Sequence, residues 1–110
     1  MTECYQIIVY VPEVAADEFI AAVSSKIPKI FGNYDHVCWR SFEGAGQFRP
    51  LEGADPADGE IGVVNQVPEI RFECLLPDDE AALGEFIAQT LKPAHPYEAP
   101  VITVTRTVLA

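Results

Sequence analysis

Basic residues are scarce in this sequence, and their scarcity excludes whole classes of partner. Seven lysines and arginines stand against seventeen aspartates and glutamates, which gives a net charge of -10. A surface with this balance repels phosphate backbones and anionic lipid rather than attracting them. We therefore expect neither nucleic acid nor a membrane surface as a partner, whereas a cation is better tolerated.

Cysteine and histidine are also scarce. The three cysteines, Cys4, Cys38 and Cys74, are widely spaced, which fits buried reduced thiols better than a disulfide framework or a CxxC metal knuckle. None of them has the electropositive neighbour that activates a thiolate, and the two histidines suggest no Ser-His-Asp order. The sequence therefore predicts a protein that is not an enzyme.

A long apolar run is missing near the N-terminus. The run from Ile7 to Val11 is far too short to span a bilayer or to form the core of a signal peptide, and no basic segment precedes it. We expect a cytoplasmic protein without a membrane partner.

Hydrophobic residues, by contrast, are plentiful, at 49% of the 110 residues. A chain of this length can bury one hydrophobic core without disulfides or metals, but it is too short for two. The sequence therefore predicts a single domain over residues 1–110.

The local patterns alternate between strand and helix. β-Branched and aromatic runs predict four strands, at residues 4–11, 36–42, 67–77 and 99–109. Apolar residues at helical spacing predict two helices, at 12–28 and 78–93, the second with Asp78 as N-cap and Pro93 at its end. The order β-α-β-β-α-β is that of a ferredoxin-like α+β fold, an antiparallel sheet with two helices on one face.

Residues 43–62, between the second and third strands, contain five glycines and two prolines, which predicts a long loop. A loop of this length usually has a function or contacts another chain. Phe48 would then anchor an intersubunit arm, with Arg49 paired to acids of the neighbouring subunit. A phosphate cradle around Arg49 is less favoured, because the strand-to-helix context and the Lys-Ser/Thr of a P-loop are missing.

The first strand predicts an uncovered sheet face. If its alternate residues Tyr5, Ile7, Val9 and Val11 face the helices, the opposite face carries Gln6, Ile8 and Tyr10 beside Glu69, Arg71 and Glu73 of the third strand. This mixture is too apolar for open water and too charged for a core. It is typical of a sheet that packs against a neighbouring subunit, so we expect an oligomer.

Four motifs carry a resemblance to a known family. They are GNYDHV (32–37), GAGQFRPLEGADP (44–56), GEIG (59–62) and AHPYEAP (94–100). Over nearly its whole length the chain resembles the small CutA-like domain that is inserted in proteins of the NGG-interacting-factor-three-like (YqfO) family. The resemblance implies a CutA/PII-like subunit that assembles as a homotrimer, with the sheets facing the three-fold axis.

The chain departs from that family at two places. Residues 27–31 stand where members carry a Gly-Ala-Gly run, and Ala99 stands where many carry a second glutamate. The two-metal hydrolase-like body that flanks the inserted domain in full-length members has no counterpart among these residues.

The two histidines suggest a metal site. His36 follows the GNYD turn, while the prolines of AHPYEAP hold His95 in an extended segment close to Glu98. If they meet, His36, His95 and Glu98 would offer two imidazoles and a carboxylate to zinc, copper or a similar divalent ion. The alternative is structural: each imidazole caps a carbonyl or a carboxylate, and His95 locks the corner between helix and strand.

The leading hypothesis is a non-enzymatic homotrimer that binds a metal ion, a small ligand or a protein partner at its subunit boundaries. Two alternatives stay open. One is a small metal-dependent, hydrolase-like enzyme that uses His36, His95 and Glu98. The other is a PII-like nucleotide sensor, against which the lack of a basic cluster argues.

Overall fold

An antiparallel sheet of five strands forms the centre of the molecule, which is described over residues 1–110 by a computed structural model. The strands are β1 (Thr2–Pro12), β2 (Trp39–Arg40), β3 (Ala45–Phe48), β4 (Asn65–Pro77) and β5 (Ile102–Leu109). They lie in the order β2-β4-β1-β5, and β3 pairs with the first residues of β4. The fold is α+β and consistent with the ferredoxin-like domain that the sequence predicted.

Strand β1 lies between β4 and β5 and is antiparallel to both. Its β-branched residues suit this central position, because they pack well on a pleated surface that is covered by neighbours. Ile7, Val9 and Val11 are fully buried, whereas Tyr10 is 41% exposed. The predicted assignment of the two faces of β1 is therefore confirmed.

Both helices cover the same face of the sheet. A 3-10 turn at Glu13–Ala15 leads into α1 (Ala16–Ser24), and α2 (Glu80–Phe86) continues through a π-helical turn at Ile87–Leu91 into α3 (Lys92–Ala94). One buried cluster joins the helices to the sheet, and its members include Phe19, Val23, Phe72, Phe86 and Leu91. Phe19 and Phe72 meet edge to face, with ring centroids 5.4 Å apart.

The ends of the helices differ from the prediction. Helix α1 ends at Ser24, because the chain tightens into a turn in which Lys26 N donates to Val23 O, before Pro28 is reached. The N-cap of α2 is Asp79 instead of Asp78: its carboxylate accepts a hydrogen bond from Ala82 N at 3.1 Å.

Asp78 and Pro93, which the sequence placed at the two ends of the second helix, both have other positions in the structure. Asp78 is engaged elsewhere, in an ion pair with Arg106 at 3.0 Å. Pro93 lies inside the last helical turn, at the second residue of α3, and the helix ends one residue later, at Ala94.

The predicted loop 43–62 contains the strand β3, so the prediction of a four-stranded sheet was wrong: the sheet has five strands. β3 escapes recognition because two of the five residues at 44–48 are glycines, which weaken the strand pattern. Gly44 is needed because its backbone lies against β4: a Cβ there would stand 2.6 Å from the carbonyl oxygen of Glu69. The second predicted strand shrinks to Trp39–Arg40.

The opposite face of the sheet carries no helix. The strand registers place Trp39, Glu73, Ile8 and Thr103 in one row across β2, β4, β1 and β5. Trp39 is 55% exposed and Ile8 is half-buried. We call this surface the open face; it is mixed in polarity, as the sequence predicted.

All three cysteines are free thiols. Cys4 and Cys74 are buried, as predicted, while Cys38 is half-buried. Burial, followed by the neighbouring Cys38, raises the pKa of the Cys74 thiol to about 12. Cys74 therefore stays protonated and unreactive at neutral pH.

None of the helices has the length and apolar character needed to cross a membrane.

Candidate functional site

A cleft of about 280 Å³ lies where β3, the loop that follows it, β4 and the AHPYEAP segment meet. Two of the four sequence motifs line this region, GAGQFRPLEGADP and AHPYEAP. Its walls include Tyr10, Phe48, Ala54, Asp58, Glu69 and Tyr97. The cleft is the strongest candidate for a binding site.

His95 anchors the floor of this region. The histidine is buried, and its Nε2 lies 2.7 Å from the carbonyl oxygen of Tyr10, while Nδ1 accepts a hydrogen bond from Tyr97 N at 3.1 Å. A carbonyl cannot donate and a backbone N–H cannot accept, so these contacts assign a neutral imidazole with its proton on Nε2. Burial lowers the pKa of His95, and it outweighs the opposing effects of the bond to Tyr10 and the charge of Glu69.

Tyr97 and Glu69 form the polar centre of the cleft. The Tyr97 hydroxyl donates to Oε2 of Glu69 at 2.8 Å. Burial raises the pKa of Tyr97, and the hydrogen bond to Glu69 and the negative charges of Glu69 and Asp58 raise it further. The hydroxyl therefore remains a donor throughout the physiological pH range, and it is a poor candidate for a general base.

Glycine makes room for the Glu69 side chain. The carboxylate lies directly over Gly46, where a Cβ would overlap Oε1. The backbone N–H of Glu69 donates to Gly44 O at 3.0 Å, which ties the same segment to β4. Gly46 thus makes room for the Glu69 carboxylate, and Gly44 makes room for the backbone of Glu69.

The loop beyond β3 folds over the cleft. Gly62 N donates to Pro50 O at 2.7 Å and closes the loop on itself. Asp55 N donates to Oε1 of Glu98 at 3.1 Å, which joins the loop to the AHPYEAP segment. Phe48 packs against Tyr97 of its own chain, with ring centroids 6.2 Å apart. Within one chain the loop therefore already has an anchored position.

The three residues predicted to bind a metal have separate partners in the structure. His36 is exposed, has a left-handed φ of 56° and places Nδ1 2.9 Å from Oδ1 of Asp35. It does not line the cleft, whereas Glu98 does and His95 lies beneath it. No three or more His, Cys, Asp or Glu side chains are grouped so that they could hold a metal ion.

The structure therefore assigns to His95 the locking role that the sequence left open as the alternative. Both nitrogens of its ring are used in hydrogen bonds, so the folded chain offers no free lone pair of His95 to a metal. A zinc or copper site at His36, His95 and Glu98 stays a prediction.

Sequence reasoning missed Glu69 and Tyr97 as partners. Glu69 was assigned to the open face, because it alternates with Ile70 in a regular strand. No local signal shows that its side chain bends over Gly46. Tyr97 lies inside the AHPYEAP motif, but its hydroxyl donates to Glu69, which is 28 positions away in the sequence.

Comparison with known proteins gives one consistent group of relatives. No family model matches the chain. It is 37% identical over 97 residues to the GTP cyclohydrolase 1 type 2 homolog of Mycobacterium tuberculosis, and 36% identical over 90 residues to that of Bacillus subtilis. These matches cover 88% and 82% of the chain but 24% and 23% of the relatives.

A solved structure agrees with these relatives. The Bacillus cereus protein related to NIF3 matches with a TM-score of 0.74 and 31% identity, over 96% of this chain and 26% of that one. The homologues are thus NIF3-related proteins and GTP cyclohydrolase 1 type 2 homologs. The chain spans about a quarter of their length.

Proposed function

We propose that this protein is a small, CutA-like domain of the NIF3-related family that works without catalysis, as a homotrimeric binding module. Its open face would be the subunit interface, and the cleft beside Tyr97 would take a small ligand. The matched segment of the relatives supports the family assignment, since the match reaches 96% of the chain at a TM-score of 0.74.

The open face is the observation that carries the proposal. Trp39 and Tyr10 are 55% and 41% exposed, and Ile8, two residues before Tyr10 in β1, is half-buried. Arg71 and Glu73 form an ion pair on the same surface. Exposed apolar residues on either side of charges that already neutralise each other are compatible with a subunit interface, because copies of the sheet can remove the aromatic and aliphatic area from water.

Two observations argue against GTP, the substrate in the relatives' name, as a ligand of this chain. The chain covers 24% of the Mycobacterium tuberculosis relative. The carboxylates Asp58, Glu69 and Glu98 line its cleft and would repel a triphosphate. The same repulsion argues against a nucleotide sensor, and Arg49, the residue considered for phosphate binding, does not line the cleft.

Sedimentation equilibrium tests the assembly. At micromolar concentration we expect a mass three times the 12.1 kDa of the chain. The variant Ile8→Glu places a charge in the middle of the open face, and it should dissociate the assembly to monomers while its circular dichroism spectrum is retained.

Val14→Glu is the matched control. Val14 is 99% exposed in the turn before α1, away from the open face, so the added charge should leave the mass unchanged. A wild-type protein that sediments as a monomer would refute the homotrimer. Dissociation by both variants would show that added charge, and not the open face, controls assembly.

A further inference from the structure

The cleft beside Tyr97 brings together carboxylates that have no cationic partner. Asp58, Glu69 and Glu98 all line it. The ion pairs of the chain lie elsewhere, and none of them includes these three residues. The negative charges that line the cleft therefore have no ion-pair partner within the chain.

Glu69 is a preorganised acceptor within this group. Its Oε2 accepts from the Tyr97 hydroxyl, whereas Oε1 makes no hydrogen bond within the chain. The lack of a side chain at Gly46 gives the carboxylate its place. Because the hydroxyl holds the carboxylate in one orientation, a ligand that binds to Oε1 loses little free energy in ordering the site.

The remaining walls of the cleft are apolar. Half of the fourteen lining residues are hydrophobic, and they include Phe48, Tyr97, Ala54 and Val101. The tilted pair of Phe48 and Tyr97 presents aromatic surface next to the carboxylates. Aromatic faces attract cations as well as apolar groups, so these walls and the carboxylates favour the same kind of ligand.

We propose that the cleft binds a protonated primary amine carried on an apolar body. The ammonium group donates to Oε1 of Glu69, Asp58 and Glu98 add attraction, and the apolar body lies against Phe48 and Tyr97. A volume of about 280 Å³ is at the small end for ligand pockets, which suits a compact amine and not a nucleotide. The inference deepens the proposed binding function and rests on it for the role of the cleft.

Titration with phenethylamine tests this inference, with binding followed by NMR shifts of the wild-type protein. We expect saturable shifts of Phe48 and Tyr97 resonances. Phenethyl alcohol, which keeps the ring and lacks the charge, should bind at least about tenfold more weakly, because it loses the charge-assisted hydrogen bond. The lysine analogue Nα-acetyl-lysine methylamide shows whether the amine of a polypeptide side chain is preferred to a free small molecule.

Three variants locate the charge that is recognised. Glu69→Gln should weaken phenethylamine binding at least about tenfold, and Asp58→Asn several-fold. Asp58 is exposed and makes no hydrogen bond, so its variant stays informative if Glu69→Gln disturbs the fold. Glu85→Gln removes the same charge from an exposed position on α2 and should leave binding unchanged.

The possible outcomes separate this inference from the assembly proposal. Equal binding of the amine and the alcohol, equal loss in all three variants, or no binding at millimolar amine would overturn amine recognition. The mass is measured on the same sample. A trimer that does not bind the amine refutes only the proposal of amine recognition, whereas a monomer that binds the amine refutes only the proposed homotrimer.

Discussion

His95 joins two parts of the chain that are 85 residues apart, by donating to the carbonyl oxygen of Tyr10 in β1. Its second nitrogen holds the backbone of Tyr97, whose hydroxyl in turn holds Glu69. One neutral imidazole thus supports the cleft from below. Protonation would replace the Nδ1 acceptor by a donor that faces the N–H of Tyr97, so the charged form is incompatible with this arrangement.

Stability should therefore depend on the protonation of His95. Because burial lowers the folded pKa below the ordinary value of 6.5, the unfolded chain binds a proton first as the pH falls. The free energy of unfolding should be unaffected by His95 above pH 6.5 and should fall between 6.5 and the folded pKa, by at most about 1.4 kcal/mol per pH unit for one proton.

Urea titrations between about pH 7.5 and 5.5 measure this slope, a range that stays above the ordinary carboxyl pKa values. His95→Gln should be less stable throughout and should lose the slope, because no imidazole is left to protonate at this site. His36→Gln is the control and should keep it, since His36 is exposed. An unchanged slope in His95→Gln would mean that another group is responsible.

At the scale of elements, glycine plays opposite parts in β3 and α2. Gly46 lies in β3 beneath the Glu69 carboxylate, which a Cβ would overlap. Gly84 lies in α2 with open space where its Cβ would be. The same residue type is thus required at one position by close packing and replaceable at the other, where it only increases the entropy of the unfolded chain.

Alanine substitution at these two glycines should shift stability in opposite directions. Gly46→Ala should destabilise by about 1–3 kcal/mol, because Glu69 must move and the hydrogen bond from Tyr97 is lost or strained. Gly84→Ala should stabilise by about 0.5–1 kcal/mol. Urea denaturation of both variants measures the change. Stabilisation by Gly46→Ala would show that Glu69 does not occupy this position in solution.

The elements also show how far local patterns predict structure. β1, the C-terminal part of β4, both helices and the buried alternation of Ile70, Phe72 and Cys74 follow from periodicity, because a repeating apolar face has one way to be buried. β3 and the cap at Asp79 do not. β3 forms because a glycine-rich backbone pairs with β4. Asp79 is the cap while Asp78 forms an ion pair with Arg106. Both are contacts between distant parts of the chain.

At the scale of the whole molecule, charge opposes the proposed assembly. Each chain carries -10, so three chains around one axis bring a large like charge together. The apolar area of the open face has to outweigh this repulsion. Salt screens exposed charges over about 10 Å at 0.1 M ionic strength and leaves the hydrophobic contribution largely intact.

Association should therefore strengthen as salt is added. Between about 20 mM and 500 mM NaCl we expect the concentration at which the trimer is half dissociated to fall several-fold, because screening shortens the range of repulsion between subunits. Sedimentation velocity over a dilution series measures it. Ile8→Glu should remain more dissociated than Val14→Glu at every salt concentration. Weaker association at high salt would indicate that ion pairs between subunits dominate the interface.

Composition and periodicity alone were enough to determine an α+β fold, a central β1 and a mixed open face, because those features depend on which residues avoid water. The cleft depended on the folded chain, since Glu69, Tyr97 and Gly46 come from separate segments and acquire their roles only when side chains meet at distances of a few ångströms. Sequence spacing carries no information about contacts between distant side chains. For that reason the histidine and glutamate of AHPYEAP could be identified as candidate site residues, whereas their contact partners could not.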